Sequence, residues 1–357
     1  MDTVRDPLPF SHNLEWTTAA ANAAIEDAVA AEQSFFLYYA ATAPHSPSVL
    51  EALARVDGLT ETPNGVQPVP DHGHAHTRAE IITAAAGSDG AAGTMWLDDA
   101  LGSVMAKLEI LGALDNTLII VTMDHGQTAK DTLYQGGARV VMMARLPGAI
   151  TAGSVVSFPT SHLDIAPTVL AFTGVLPAAG YATDGHSWLG AATEVAGVSP
   201  AEARACLVSE IEVDRMVVCD GMGLKLILHL DDTEAPAAQA YPNAADRIQL
   251  YDLATDPTEQ TNLAGDGAYA DAQQYLEAYL ECHAISTDPT DPAECDPETD
   301  IIDTDPEDIA LPTSPAPTPA PTPAPPAPTR GMGGGMGGMN RSGRTVMIRG
   351  REIELDA

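Results

Sequence analysis

Residues 108–127 read LEILGALDNTLIIVTMDHGQ. The stretch closes one element, turns, and opens the next. From Trp96 to Leu111, the residues Leu97, Leu101, Val104, Leu108 and Leu111 fall on one helical stripe, and Gly112 is placed to end that helix. Asp115-Asn116 makes a turn. Thr117 to Met123 is then a continuous apolar run of strand length, the pattern of a strand covered on both faces. Helix, turn and buried strand in that order give the crossover rhythm of a largely parallel sheet, so an α/β chain is expected. The strand runs out at Asp124-His125-Gly126, and ligands of such sheets sit beyond the carboxyl ends of strands.

The same rhythm extends upstream. An Ala-rich helix is expected from Thr17 to Gln33, with Thr17 or Thr18 as its cap. Phe35-Phe36-Leu37-Tyr38-Tyr39-Ala40 reads as a second buried strand, followed by the polar segment Thr42-Ala43-Pro44-His45-Ser46-Pro47. Downstream, Met216–Cys219 and Leu224–Leu228 read as a hairpin around Gly221 and Gly223. With a strand at Leu250–Leu253 and a helix from about Tyr269 to Cys282, they make a small antiparallel α+β subdomain.

Composition marks the outer boundaries. Residues 1–197 carry the α/β pattern and 198–284 the antiparallel subdomain. Residues 285–311 hold ten acidic residues, no basic ones and four Asp-Pro steps, which cannot form a core. The Pro-rich stretch that follows reads as an extended spacer, so 285–329 is a linker. Residues 330–357 form a Gly/Met-rich tail with five arginines. Its Asn340-Arg341-Ser342 is a sequon of the kind that flexible tails acquire by chance.

Charge narrows the partners. Asp plus Glu number 50 against 16 Lys plus Arg, a formal charge of −34, and only Lys107, Lys130 and Lys225 are lysines. A field this negative argues against nucleic acid and anionic membrane, and suits a protein kept soluble in salty surroundings. No apolar run reaches the ~18 residues of a membrane span, and no signal peptide is visible. Cys206, Cys219, Cys282 and Cys295 form no CxxC. Their spacings allow Cys206–Cys219 and Cys282–Cys295 disulfides and an oxidising compartment; four buried thiols in a reducing one fit equally well.

Two residues at the strand end carry the chemistry. Adjacent Asp124 and His125 at the tip of a buried strand cost desolvation unless something uses them. A divalent cation would: the carboxylate offers a hard oxygen, the imidazole a nitrogen, and Gly126 admits the backbone closely. Lys130 and His45 are then donors to a tetrahedral anion beside the cation. The plainer reading is a turn whose Asp and His cap neighbouring backbone. The alternating histidines of Asp71-His72-Gly73-His74-Ala75-His76 are read as a solvated loop rather than a metal site. His162 and Asp164 are read as structural, with Asp164 capping a helix, and Arg139 as a packing or ion-pairing residue.

Five segments, in order, resemble the sulfatase family of the alkaline phosphatase superfamily. They are FFLYYAATAPHSP, LGALDNTLIIVTMDHG, KDTLYQGGARVVMMARLPGAITAGSV, SHLDIAPTVLAFTGV followed by Asp184-Gly185, and RIQLYDLATDPTEQTNLAG. The resemblance implies an alkaline-phosphatase-like mixed sheet between helices, a small C-terminal α+β subdomain and a disordered tail. It implies hydrolysis of a small-molecule or glycan sulfate ester. It places Asp124 and His125 on two metal-ligand positions, where most members have Asp and Asn. Calcium is the implied metal, and His125 leaves room for magnesium, manganese or zinc. Lys130 matches the sulfate-contacting lysine and His45 the histidine near the leaving oxygen.

Two departures qualify this. No Cys or Ser is followed by Pro two and Arg four residues on, the motif that supplies the family's formylglycine nucleophile. The resemblance therefore implies that the nucleophile, with two further metal ligands, lies upstream of Met1. The Asp124-to-Lys130 spacing is also shorter than in many members. Two further readings follow: a non-catalytic anion-binding relative, and a phosphoesterase of the same superfamily. The family suggests a secretory, extracellular or lysosome-like setting.

Overall fold

The computed structural model describes residues 12–55, 58–62, 65–156, 159–175, 185–188, 206–219, 221–229, 241–285 and 346–348. The chain forms two compact units, Met1–Thr117 and Leu118–Ala357. The Cys282–Cys295 pairing, the acidic and Pro-rich linker and nearly all of the tail involve residues outside the described ones.

The first unit is helical with one small hairpin. Helix α1 spans Leu14–Ala30, α2 Val49–Leu53, α3 Arg78–Ala85 and α4 Asp89–Ile110; strands β1 (Leu59–Thr62) and β2 (Gly65–Pro68) pair antiparallel. Helix α1 starts before the threonines expected to cap it, from Asn13. The Thr17 and Thr18 hydroxyls instead bond back to the Leu14 carbonyl at 2.9 and 2.7 Å, as threonines inside a helix do. Helix α4 ends at Ile110 with Leu111 as its cap and Gly112 in the left-handed region as expected, but begins seven residues before Trp96, where the Ser88 side chain accepts from Ala91 N. Its buried stripe runs through Ala92, Trp96, Ala100, Ser103 and Leu108 rather than through Leu97, Leu101 and Val104. Leu14, Val49, Leu53, Ile81, Ala85 and Trp96 make the core.

Phe35–Ala40 is not a strand. Phe36 and Tyr38 are 76% and 83% exposed, and no strand pairs with the run among the described residues. Apolar composition favours a strand only where a neighbouring backbone completes the ladder.

The second unit holds two four-stranded sheets. In the first, β3 (Ile119–Thr122), β4 (Met142–Arg145), β10 (Val346–Ile348) and β5 (Val155–Val156) stand in the order β3-β4-β10-β5. β3 pairs antiparallel with β4, Ile119 opposite Arg145 and Thr122 opposite Met142, while β10 pairs parallel with β5. The sheet is mixed. The largely parallel arrangement read from the helix–turn–strand rhythm is not what joins β3 to β4, because the chain between them doubles back through short turns and the one-turn helix α5 (Gln135–Ala138). Helix α6 (Ile165–Thr173) follows.

The second sheet is a meander of β6 (Cys206–Ile211), β7 (Asp214–Cys219), β8 (Leu224–Leu228) and β9 (Ile248–Asp252), followed by α7 (Ala270–Ile285). This is the antiparallel α+β subdomain expected. Cys206 and Cys219 stand directly opposite across β6 and β7 and are disulfide-bonded; Cys282 is also in a disulfide. One face of the sheet packs Val217, Leu224, Leu226 and Leu250 against Tyr275, Leu276 and Leu280 of α7. The other packs Met216, Ile227 and Tyr251 against Leu133 and Tyr134, from the turn that leaves β3. The second sheet is thus the floor beneath the candidate site.

Candidate active site

Asp124, His125 and Lys130 lie on that turn. β3 delivers Asp124 to the surface, where its side chain is 84% exposed. The Asp124 Oδ1 accepts from His125 N at 2.9 Å, and Oδ2 faces His125 Nε2 at 3.5 Å. His125 Nδ1 contacts the Gly126 carbonyl at 2.9 Å. A carbonyl only accepts, so Nδ1 carries a proton, and in the neutral ring Nε2 then presents a lone pair. At the strand end a carboxylate oxygen and an imidazole nitrogen thus face one another, two acceptors with the ring neutral and an ion pair with it protonated.

Three glycines close the turn. Gly126 N donates to Gly137 O at 2.7 Å, and Thr128 N and Ala129 N donate to Gly136 O at 3.3 and 3.2 Å. A Cβ on Gly126 would fall inside the Gly136 carbonyl, and one on Gly137 inside the Ala129 carbonyl. The two arms touch through bare backbone, which only glycine permits. Lys130 follows directly, solvent-exposed.

The floor holds the far arm. Lys225 on β8, 1% exposed, donates through Nζ to Leu133 O at 2.5 Å and pairs with Glu259 Oε1 at 2.7 Å. Glu259, fully buried, accepts from Gln135 N through Oε2 at 2.6 Å. Burial pushes the Lys225 ammonium below its ordinary pKa, and Glu259 works against that push. Tyr134 stacks on Tyr241 at 3.8 Å between ring centroids, its hydroxyl donates to Gln249 at 2.8 Å, and Gly136 N donates to the Tyr241 hydroxyl at 3.3 Å.

A residue that sequence reasoning assigned to packing reaches the same strand end. His162 Nε2 lies 3.0 Å from Thr122 Oγ1, two residues before Asp124, and the imidazole is exposed. Its neighbour Asp164 is buried and structural, but its side chain does not cap α6 as expected: it accepts from Ser161 N at 2.7 Å and His186 N at 2.8 Å. Arg139 is exposed at the end of α5.

His45 belongs to the first unit. It is exposed in a turn whose His45 N donates to Thr42 O at 3.0 Å. Buried His12 fastens that turn, with Nδ1 3.1 Å from Thr42 Oγ1 and Nε2 donating to Pro47 O at 2.9 Å. Pro44 lies against Gly93 of α4, where a Cβ would overlap it, and Asp89 accepts from Ser48 and Leu50 N, each at 2.8 Å. His12 carried no motif to mark it.

The histidines of residues 72–76 form a loop, as expected, but not a solvated one. The His74 side chain is 1% exposed, with Nε2 3.0 Å from Thr18 Oγ1 and Nδ1 3.6 Å from Asp99 Oδ2. Buried Asp99 accepts from Ala75 N and His76 N at 3.0 and 3.1 Å and meets His76 Nδ1 at 3.1 Å. Desolvation drives the His74 pKa down to about 4. A cavity of about 380 Å³ opens beside the loop. Its Arg78 is already committed to Glu15, at 2.7 and 2.9 Å, which leaves the cavity little attraction for an anion.

The described fold is shared with alkaline-phosphatase-like α/β proteins. The sulfatase PsFucS1 of a Pseudoalteromonas species superposes with a TM-score of 0.54 over 79% of this chain and 53% of that one, at 19% identity. A second solved structure, Ps i-CgsB, gives 0.53 over 78% and 56%, at 20% identity.

The family profile described as Sulfatase matches residues 11–175, a little under half of the chain. The N-acetylglucosamine-6-O-sulfatase of Bacteroides thetaiotaomicron is 32% identical over 200 residues, 52% of this chain and 33% of that protein. Human arylsulfatase A is 32% identical over 200 residues, 49% of this chain and 39% of that protein. The PehA protein of Trinickia caryophylli, a multifunctional member of the alkaline phosphatase superfamily, is 32% identical over 187 residues, 49% of this chain and 35% of its own length. The chain thus spans little more than a third of the length of these relatives. Among the described residues no helix is long and apolar enough to cross a membrane.

Proposed function

We propose that the turn after β3 is the anion-facing half of a sulfate-ester hydrolase site, with Lys130 handling the ester and Asp124 and His125 holding a divalent cation. The observation that carries the reading is the pair of acceptors, Asp124 Oδ2 and His125 Nε2, facing each other 3.5 Å apart on an exposed strand end. With the imidazole neutral, two lone-pair donors so placed repel; a proton on the ring relieves that repulsion, and a divalent cation competes with the proton for the same place.

The pair suits calcium through the carboxylate, and magnesium, manganese or zinc through the imidazole. It is a partial set: among the described residues no group of three or more His, Cys, Asp or Glu could hold a metal. When bound, the cation supplies Lewis-acid neutralisation of the sulfate oxygens. Lys130 brings a mobile ammonium to the same oxyanion. The family resemblance assigns the departing alcohol oxygen to His45, whose Nδ1 donates to the Ser46 carbonyl, so that only the protonated ring has an N–H at Nε2 to give. The nucleophile of this reading comes from outside residues 1–357, because the chain holds no Cys- or Ser-x-Pro-x-Arg. The substrate class is a sulfate ester, as the names of the relatives indicate for those proteins, and the Cys206–Cys219 disulfide supports an oxidising compartment.

The missing nucleophile motif favours one second reading, retention of sulfated ligands without turnover. An aryl sulfate assay on the purified chain and on the longest natural reading frame containing it, with and without divalent cations, separates the two. Cation-dependent sulfate release abolished by Lys130→Ala supports the hydrolase. Cation-dependent binding without release supports the second reading. Aryl phosphate cleaved in preference to aryl sulfate overturns both.

A further inference from the structure

We propose that Lys225 and Glu259, the buried ion pair of the C-terminal sheet, are positioning residues for the turn bearing Asp124, His125 and Lys130, and so set the aim of the anion site from beneath. The proposal rests on the reading of that turn as the site.

A buried ion pair is weak evidence for stability, since apolar residues of like volume commonly do as well. What this pair provides and an apolar pair cannot is direction. Lys225 Nζ is bonded to the Leu133 carbonyl and Glu259 Oε2 to the Gln135 amide, two backbone groups on the far arm of the turn. Leucine and methionine in their place would leave both groups buried without those partners.

The remaining bonds pass the position on. Gln135 leads directly into Gly136 and Gly137, whose carbonyls take the amides of Gly126, Thr128 and Ala129. Those amides flank Asp124 and His125 on one side and Lys130 on the other. No side chain intervenes, because the arms meet through glycine backbone, so a shift at Gln135 has no soft element in which to dissipate.

The backbone of Glu259 points the same way. It holds φ +58°, a left-handed conformation in which glycine would be the unstrained choice. The Asp256 side chain anchors this bend by accepting from Gln260 N and Thr261 N, each at 2.8 Å, and delivers the carboxylate to Gln135. Strain of this kind persists where surrounding structure over-determines it. Two of the chain's three lysines are thereby linked: Lys225 is buried to hold the turn on which Lys130 is exposed.

The test is amide hydrogen exchange on the full chain, paired with titration by inorganic sulfate in the presence of calcium. In Lys225→Met/Glu259→Leu, which removes both charges together, the amides of Gly126, Thr128, Ala129 and Gln135 are expected to exchange on the order of tenfold faster. The β6–β9 ladder amides keep their protection, and sulfate affinity falls. Gln135→Pro is the second variant, should the double variant not fold. Proline is accepted at the first position of a helix, where Gln135 stands, but it deletes the N–H that Glu259 holds. Acceleration at the Gly126, Thr128 and Ala129 amides is expected there too. Unchanged exchange in the turn of a folded variant overturns the proposal, as does acceleration spread evenly through β6–β9, which would make the pair merely structural. Wild-type chain that binds no sulfate, or binds it equally well as Lys130→Ala, removes the sulfate reading; the exchange result still decides the clamp.

Discussion

The loop at residues 71–77 and the turn at 124–137 both open on Asp-His-Gly, and the fold treats them in opposite ways. In the first, the carboxylate is hidden: Asp99 gathers two backbone amides and two imidazoles, and His74 is sealed between α1 and α4. In the second, the carboxylate is displayed: Asp124 stands 84% exposed, and the buried charges, Lys225 and Glu259, lie one layer below it. A buried polar network spends its hydrogen-bonding capacity internally and specifies a conformation. An exposed pair of acceptors on a rigid mount keeps that capacity for a ligand. The placement of the donors separates scaffold from site, and residue type does not.

The sharpest way to break this contrast is to remove one charge from beneath the turn. Lys225→Met leaves Glu259 buried with only the Gln135 amide, and a loss of about 3–5 kcal/mol is expected by chemical denaturation. Gly137→Ala should cost about 1–3 kcal/mol, since the new methyl meets the Ala129 and Thr132 carbonyl oxygens, backbone rather than flexible side chain. Asp99→Ala should cost a similar or slightly smaller amount, about 1–3 kcal/mol, by orphaning the amides of Ala75 and His76.

Acid should single out the first loop. The folded pKa of His74 lies below its unfolded value of 6.5, at about 4, so below pH 6.5 the unfolded chain binds the extra proton first. The contribution of neutral His74 is complete above pH 6.5, declines from there towards pH 4, and is gone below it. A melting-temperature profile that keeps the same slope over that window in His74→Gln would contradict this. The smallest stability effect belongs to the displayed carboxylate: Asp124→Ala is expected within about 0.5 kcal/mol of wild type by the same denaturation measurement, while calcium ceases to raise the melting temperature.

Much of this was legible in the sequence, for reasons that differ by element. Ile119–Thr122 and three strands of the C-terminal meander, β7, β8 and β9, announce themselves because each is an apolar run with a neighbour to pair with, whereas β6 is not marked out. Phe35–Ala40 has the same composition and no paired strand among the described residues, and composition alone does not record a partner. The Asp124-His125 pair was readable from its place at a strand end. The burial of His74 was not, since it depends on Asp99, far along the chain on another helix. Lys225 and Glu259 were the least visible of all: each looks like an ordinary surface charge until β8 and the bend after β9 bring them together under Leu133.

The interlocked glycines have a consequence for redesign. On the proposed reading of this turn as the site, widening its mouth by mutating or lengthening residues 126–137 would unseat Asp124, His125 and Lys130 before it made room for a bulkier guest. Laboratory evolution towards larger esters should leave that span untouched and draw its diversity from other loops.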